Sequence, residues 1–468
     1  MCYNVFKPKV CVPEGRTVTI EGPVVGTAGL VKTGAGTLVI KDWSQLSGSV
    51  TATEGLLPRN VYITPEADGT GDGSSWASPM RLADYLETAA NRSSGDRVLL
   101  KAGDYAARIA QQTLGNQNIA FEGGYAGTDG ETLDAENPVS VIDFGDYPTS
   151  RPFIPVKVSA ASGVTVSFSR IRFQHARSAA IAKEGGETLV LADCSIVSNG
   201  WHQSSDPNAG SSTGGRGIHA KGGLLCATNC AWIANMNVRH RNWGKNNIAF
   251  GGALNDNISS TDGEVDVANC TFAYNATDSD EASPAMDVWK GVVNVRNSIF
   301  AGNHKMSGNT AGADIMVRTG AVVNVSHTLL PGTGAWNAVS ETIGEDAGTL
   351  NLGDGVLCGD ALLASGTLAS TNLVVSTKSG SMPVVYYDTE RLGEVLAFDV
   401  HLRSRTGRWT PSGCVKDRER SPAIDAGDPA STYRGEPEPN GQRINLRRYG
   451  GTAEASLSRS GGLQLVVR

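Results

Sequence analysis

An eleven-residue pattern recurs in the middle of this chain and constrains its fold more than any other feature. The copies are LVLADCSIVSN ending at Asn199, LCATNCAWIAN ending at Asn235, VDVANCTFAYN ending at Asn275 and VNVRNSIFAGN ending at Asn303. Each copy alternates apolar residues with a period of two, which is typical of a β-strand. The copies follow one another at steps of 36, 40 and 28 residues, and repeats of that period indicate a solenoid.

A second short strand precedes each copy, and a fifth such strand precedes VNVSHTLLPGT from Val323, which continues the pattern imperfectly. These segments are AAIAK from Ala179, GIHAK from Gly217, GALND from Gly252, AMDVW from Ala285 and ADIMV from Ala313. Stacked coils place equivalent residues about 4.8 Å apart, so identical side chains form ladders. We therefore predict a right-handed parallel β-helix of the all-β class. We expect a buried ladder of Cys194, Cys230, Cys270 and Ser298, and a ladder of the four asparagines that end the copies.

A helix is predicted at the N-terminal end of the solenoid. Its apolar face would be Leu82, Tyr85, Leu86 and Ala89, with Ser78 as the cap and Pro79 in the first turn. We expect this helix to cover the open end of the coils, where unpaired edge strands invite aggregation. The predicted organisation is residues 1–58 as a β-strand repeat-like segment, 59–378 as the capped β-helix and 379–468 as a C-terminal appendage.

Three segments resemble known families. GLVKTGAGTLVIKDWSQLSGSVTATEG, from Gly29, resembles the autotransporter-associated β-strand repeat of bacterial surface proteins. VYITPEADGTGDGSSWASPMRLADYL, with GDRVLLKAGDY and IAFEGGYAGTDG, resembles the opening of pectin-lyase-like β-helix proteins, including polymorphic-outer-membrane-protein-like surface proteins. SPAIDAGDPASTYRGEPEPNGQRINLRRYGGTAEAS resembles a C-terminal segment of large secreted β-helix proteins of environmental and gut bacteria. The resemblance implies the fold and an extracellular or cell-surface location.

The resemblance does not assign an activity, because the pectin-lyase-like superfamily contains lyases, glycoside hydrolases, adhesins and passengers alike. The paired aspartates of polygalacturonases are missing from the sequence, and so are the arginine motifs of the best-known pectate lyases. No catalytic residue is therefore carried over from a family.

Composition excludes several other classes. The formal net charge is −7 without long runs of one sign, which disfavours nucleic acid as a partner. No apolar stretch approaches the roughly 20 residues of a membrane span. The eight cysteines include no C-x-x-C pair, which argues against a zinc site. The N-terminus shows no signal peptide, so we expect either a fragment whose leader is missing, which we favour, or export by another route. The protein is expected to be a monomer.

Alternation along the preceding strands predicts two outward rows. If Ile181 and its equivalents point inward, the first row is Ala182, His219, Asn255, Asp287 and Met316, and the second is Glu184, Lys221, Asn257, Trp289 and Arg318. Two inserted loops open near these rows. One spans 200–216 and contains Trp201, and the other spans 236–251 and contains Arg239, Arg241 and Trp243. Loops on a rigid scaffold frequently carry function.

Such a face suits a polysaccharide, and three hypotheses follow from it. The first is a glycan-binding or adhesion scaffold that contacts a polysaccharide or a host or cell-surface glycan. The expected ligand-binding residues are Asn255, Asn257, Trp289, Arg318, Trp201 and Trp243. The second is a polysaccharide lyase or glycoside hydrolase that acts on an acidic polysaccharide. The third is a structural spacer.

The enzyme hypothesis assigns definite roles. A lyase needs a base, Lys221 or His219, and a cation such as Arg239 or Arg241 beside the developing charge. A hydrolase needs two carboxylates, here Asp287 with one of Asp278, Asp280 or Glu281. The segment TDSDE, residues 277–281, could also bind Ca²⁺, because hard cations prefer clustered oxygen ligands. No other cofactor is expected.

Overall fold

The computed structural model describes most of the chain. The described residues are 9–25, 30–42, 50–52, 57–106, 112–129, 132–145, 156–176, 179–200, 217–237, 254–256, 263–277, 283–305, 314–318, 320–331, 339–341, 348–366, 368, 373–376, 384–387 and 392–458. The chain divides into two compact units. The first comprises Met1–Gly145, Val156–Arg172 and Gly185–Val190, and the second comprises Asp146–Pro155, Phe173–Glu184 and Leu191–Arg468.

The first unit begins with a small stack of parallel strands. Its strands are Lys9–Cys11, Thr17–Pro23, Leu30–Thr33, Thr37–Asp42 and Val50–Ala52. Each pairs in parallel with its equivalent in the next coil. The turn before Thr37 requires glycine, because a Cβ on Gly34 would lie 2.5 Å from the carbonyl oxygen of Val12. The predicted strands of this segment are therefore present as coils.

Parallel coils continue through the rest of the first unit. One sheet contains Asn60–Ile63, Asp96–Lys101, Ile119–Tyr125 and Thr165–Ser169, a second contains Gly103–Ala106 and Ser140–Asp143, and a third contains Gln112–Leu114 and Val156–Val158. All of these pairings are parallel. The rings of Phe121 and Phe168 stack in the interior with centroids 4.8 Å apart.

The predicted helix is present but shorter than expected. It spans Leu82–Glu87, followed by the 3-10 turn Ala89–Asn91. The backbone N–H of Met80 bonds to the carbonyl of Tyr62. Residues 78–80 are thus held against the strand Asn60–Ile63, and the helix can begin only after them. The predicted cap at Ser78 and first-turn role of Pro79 were therefore wrong. Ala89 is exposed, whereas Leu82, Tyr85 and Leu86 are buried as predicted.

Three parallel sheets form the coils of the second unit. Sheet A contains Leu224–Thr228, Glu264–Ala268, Gly291–Arg296, Ala321–Ser326 and Thr349–Leu352. Sheet B contains Ser195–Val197, Ala231–Ile233, Thr271–Ala273, Ile299–Ala301, Leu329–Leu330 and Leu357–Cys358. Sheet C contains Ile181–Lys183, Ile218–Ala220, Leu254–Asp256, Met286–Val288, Ile315–Val317 and Val339–Glu341. The predicted parallel β-helix is confirmed.

A few elements complete the description. The strands Ile171–Gln174 and Thr188–Ala192 have residues in both units. Three two-residue strands, Met236–Asn237, Ala276–Thr277 and His304–Lys305, form a small parallel sheet. Leu373–Ser376 and Val384–Tyr387 form an antiparallel pair, and a short helix spans Leu392–Leu396.

Both predicted ladders are present in the second unit. Cys194, Cys230, Cys270 and Ser298 are fully buried, and the three thiols are not joined in disulfides. The asparagine ladder is bonded from coil to coil. The Asn235 Nδ2 donates to the Oδ1 of Asn275 at 3.0 Å, and the same contact joins Asn199 to Asn235 and Asn275 to Asn303. Each buried side-chain amide therefore donates a hydrogen bond to the next asparagine of the ladder.

The C-terminal segment, which comprises the described residues from Gly359 to Ser458, packs on the outer face of sheet B. Phe398, Leu402 and Ile424 belong to one apolar cluster with Ala231 and Ile299 of that sheet. Sheet B is consequently buried on both faces, and its interior face carries the stacked rings of Trp232, Phe272 and Phe300. The guanidinium of Arg448 donates to the Ser195 hydroxyl and to the Asp193 carbonyl. The described residues of this C-terminal segment and the coils of the second unit therefore share one core.

Candidate functional site

The first predicted row of side chains lies along sheet C. Parallel pairing places Ala182 beside His219, His219 beside Asn255, Asn255 beside Asp287, and Asp287 beside Met316. The register predicted from the repeat is thus confirmed, with one residue from each coil. The row is not the exposed face that was expected, because Ala182, Asp287 and Met316 are buried and His219 is half-buried.

The second predicted row lies directly after the strands of sheet C. Glu184, Lys221 and Trp289 are half-buried, and Arg318 is almost completely buried. Lys221 has no hydrogen-bond or ion-pair partner among the residues that the structure describes. Its ammonium group can therefore reach a ligand without giving up a described contact. His219, in the first row, is also half-buried.

Asp287 and Arg318 form a buried ion pair. The Arg318 Nε lies 2.7 Å from Oδ1 of Asp287, and its Nη2 lies 2.8 Å from Oδ2. The carboxylate side chain is 0% exposed and that of the arginine is 10% exposed. The guanidinium carbon also lies 4.1 Å from the centroid of the Trp289 ring, a cation–π geometry. Three predicted residues therefore form one contact cluster.

This cluster corrects the expectation that Asp287 and Arg318 lie on an open, solvated face. Met316 is the register partner of Asp287, so Arg318 follows two residues later on the neighbouring coil. Its side chain folds back over the carboxylate, and the two charges compensate one another out of water. A carboxylate held in this way is poorly suited to donate a proton, because protonation would leave a buried guanidinium without its counterion.

Several predicted site residues lie outside the described residues. They are Trp201, Arg239, Arg241, Trp243, Asn257, Asp278, Asp280 and Glu281. Only the backbone of Asn255 is described. The roles predicted for these residues remain predictions, and so does the calcium site of residues 277–281.

Two properties of the described residues bear on ligands and location. They contain no cluster of three or more His, Cys, Asp or Glu side chains able to hold a metal ion. The same part of the chain contains no helix that is long and apolar enough to cross a membrane.

The pairing of Asp287 with Arg318 was missed at the level of sequence, although a signal was present. An acidic residue on one coil can meet a basic residue on the next coil when the basic residue lies two positions after the register partner of the acidic one. A second missed feature is Lys183, which is fully buried and donates to the carbonyl of Gly222. Alternation from Ile181 places Lys183 on the inward face, so the repeat frame alone could have indicated its burial.

Similarity to known proteins does not assign a family to this chain. No protein-family model matches the chain, and no curated protein matches its sequence. Among solved structures, the chain is similar to pectate lyase Pel9A. The two are 13% identical, and the similarity covers 83% of this chain and 96% of that one, with a TM-score of 0.43. We draw nothing about site or activity from a similarity of this size, and the fold assignment rests on the parallel strand pairing.

Proposed function

We propose that this protein is a secreted or surface-displayed β-helix that binds a glycan along the outer rows of sheet C. The observation that carries the proposal is the register, which places Asn255 beside the half-buried His219 on consecutive coils of sheet C. A polymer has repeating contacts, and a solenoid supplies repeating positions for them. Export to the cell surface is supported by the autotransporter-like and pectin-lyase-like segments.

The chemistry of the rows suits a hydroxylated ligand. Lys221 offers an ammonium group, His219 an imidazole, and Trp289 a half-buried indole. Arg318 is held both by Asp287 and against the indole, so this end of the face is rigid before ligand arrives. A rigid surface loses less conformational freedom on binding, which favours affinity. The partner would be a polysaccharide or a cell-surface glycan, bound by a monomer.

The alternative is a polysaccharide lyase acting on an acidic polysaccharide at the same face. Lys221 favours it, because its side chain has no partner among the described residues and could take the position of the base beside a bound substrate. The cation of that mechanism would come from Arg239 in the inserted loop. A hydrolase is less well supported, because Asp287 is committed to Arg318.

Retention on immobilised polysaccharides, acidic and neutral, tests the proposal. We expect retention on at least one polysaccharide, and a clear loss of retention in Lys221→Ala and His219→Ala. Lys290→Ala is the matched control, because Lys290 is exposed and follows Trp289 directly. Unsaturated products and new reducing ends would be followed in parallel, with and without Ca²⁺. Turnover that disappears in Lys221→Ala would replace the scaffold by the lyase, and retention unchanged in both variants would refute the assigned face.

A further inference from the structure

A cavity of about 480 Å³ lies within the second unit, away from the rows of sheet C. The ends of sheet B strands contribute Tyr274, Ala301 and Gly302, and the C-terminal segment contributes Asp360, Leu362 and Arg403. Its volume falls in the range of about 300–1,000 Å³ that is usual for small-molecule sites. The geometry points to a binding site for one neutral sugar residue. This inference does not depend on the proposed role of sheet C.

Tyr274 gives the cavity a rigid aromatic wall. Its ring packs edge-on against Phe398 with centroids 5.1 Å apart, and its hydroxyl donates to the carbonyl of Gly366 at 3.0 Å. Gly302 has a φ of +64°, and a Cβ there would lie 2.3 Å from Cε1 of Tyr274. The glycine therefore allows the ring to keep its position. A half-buried ring fixed in this way can pack against the C–H face of a pyranose.

The rim of the cavity offers both a donor and an acceptor. Arg403 uses Nη1 to bind Glu419 at 2.8 Å, and Asp360 uses Oδ1 to accept from the N–H of Leu362 at 2.9 Å. Neither side chain has another partner among the described residues. The Arg403 Nη2 lies only 3.3 Å from where a Cβ on Gly366 would stand. The second guanidinium nitrogen and the second carboxylate oxygen thus remain for the hydroxyl groups of a ligand.

The charges of this rim select against acidic sugars. Asp360 and Glu419 carry two negative charges against the single positive charge of Arg403. A uronate carboxylate would therefore meet a guanidinium that is already neutralised and a second carboxylate nearby. A neutral sugar needs hydrogen bonds rather than a counterion, and the rim supplies these. The apolar contributions of Ala301, Leu362 and Pro331 complement its ring carbons.

A tight turn fixes the backbone between Asp360 and Leu362 at the cavity. Leu362 has a φ of +50°, a left-handed conformation that is unusual for a branched side chain. The turn that Asp360 forms with the N–H of Leu362 holds it there. Left-handed non-glycine residues recur at turns of the coils, among them Asn229, Asn269 and Asn297, so the conformation of Leu362 identifies a turn. The turn places Asp360 and Leu362 on the same wall of the cavity.

Saturation-transfer NMR and titration with methyl glycosides test the inference. The probes are the methyl glycosides of glucose, galactose, mannose and xylose, with galacturonate as the acidic comparison. We expect at least one neutral glycoside to bind the parent more tightly than galacturonate does. Arg403→Gln should weaken that binding about tenfold, the usual effect of removing a hydrogen bond from a charged donor.

Two further variants make the result specific. Arg405→Gln is the matched control and should bind as the parent does, because Arg405 is exposed on the same segment and does not line the cavity. Asp360→Asn retains the turn acceptor and removes one negative charge. It should therefore reduce the difference in affinity between the neutral glycoside and galacturonate. Absence of neutral glycoside binding, neutral binding unaffected by Arg403→Gln, or galacturonate binding that is tighter than the neutral binding and is weakened by Arg403→Gln would overturn the inference. Retention on polysaccharides through Lys221 would be independent of each of these outcomes.

Discussion

Arg318 donates two hydrogen bonds to the carboxylate of Asp287, at 2.7 and 2.8 Å, across 31 residues of sequence. The pair joins one coil of sheet C to the next and is almost wholly removed from water. The guanidinium of Arg318 also packs against the indole of Trp289. A planar guanidinium matches this combination of a carboxylate fork and an aromatic face better than an ammonium group would.

Removal of the acid from this pair is expected to be strongly destabilising. Asp287→Ala should lower the free energy of unfolding by about 3–5 kcal/mol, because the guanidinium of Arg318 would stay buried without a counterion. Urea denaturation of parent and variant measures the change. The double variant Asp287→Leu with Arg318→Met should recover much of the loss, since neither charge then remains buried. A loss below about 1 kcal/mol for Asp287→Ala would mean that solvent reaches the guanidinium.

The buried asparagine ladder predicts a second large effect. In Asn235, Oδ1 accepts from the Asn199 side chain at 3.0 Å, and Nδ2 donates to the Ile196 carbonyl at 2.8 Å. Asn235→Ala would leave several buried groups unsatisfied at roughly 1–3 kcal/mol each. We therefore expect the free energy of unfolding to fall by about 3 kcal/mol or more, measured by chemical denaturation.

A second asparagine ladder provides the matched control. Asn351 donates to the Oδ1 of Asn324 at 2.8 Å on the outer face of sheet A, where Asn351 is exposed. Asn351→Ala should change stability by less than about 0.5 kcal/mol, as exposed substitutions usually do. Equal effects at Asn235 and Asn351 would show that burial does not determine the strength of these ladders.

The repeat frame predicted the parts of the fold that depend on local periodicity. Alternation identified the strands of sheets A, B and C, and the coil-to-coil equivalence of Cys194, Cys230 and Cys270 followed from it. The same frame gave the register of His219, Asn255 and Asp287. Because each coil contacts only its neighbours, residues that are equivalent in the repeat must also be neighbours in space.

Contacts without a period could not be predicted in this way. The Arg448 guanidinium meets the Ser195 hydroxyl across 253 residues, and no repeat relates the two positions. The cavity lined by Tyr274 and Arg403 could not be predicted for the same reason, because its walls come from the corner of a coil and from a segment distant in sequence. The rotamer that turns Arg318 towards Asp287 is also set by packing, which strand alternation does not report.

Glu436 predicts a pH dependence of stability. Burial raises the pKa of its carboxyl to about 7, although the N–H groups of Asn445 and Gly451 donate to it. The folded state therefore binds more protons than the unfolded state between about pH 4.5 and pH 7. The contribution of Glu436 to stability is fully present below about pH 4.5 and is lost as the pH rises to about 7. Denaturation at pH 5 and pH 8 measures this loss.

The variant Glu436→Gln separates this group from the other titrating residues. Glutamine keeps an acceptor for the two N–H groups and cannot ionise. The variant should be more stable than the parent at pH 8 by on the order of 1–3 kcal/mol, and close to it at pH 5. A difference between parent and variant that is the same at both pH values would contradict the raised pKa.

The last prediction concerns the core that sheet B shares with the C-terminal segment. Leu402 is 0% exposed and clusters with Phe398, Ala231 and Ile299. Leu402→Ala should lower the free energy of unfolding by about 2–5 kcal/mol through lost burial and a residual cavity. The exposed control Val415→Ala, at a residue 46% exposed, should stay within about 0.5 kcal/mol.

The shape of the Leu402→Ala transition carries more information than its midpoint. If the segment and the coils unfold together, circular dichroism and tryptophan fluorescence will shift to lower urea by the same amount, with an unchanged slope. Coincidence is expected because the apolar cluster contains residues from both the coils and the segment. Two separate transitions would mean that the segment folds independently, and that its contacts with sheet B add little to the stability of the coils.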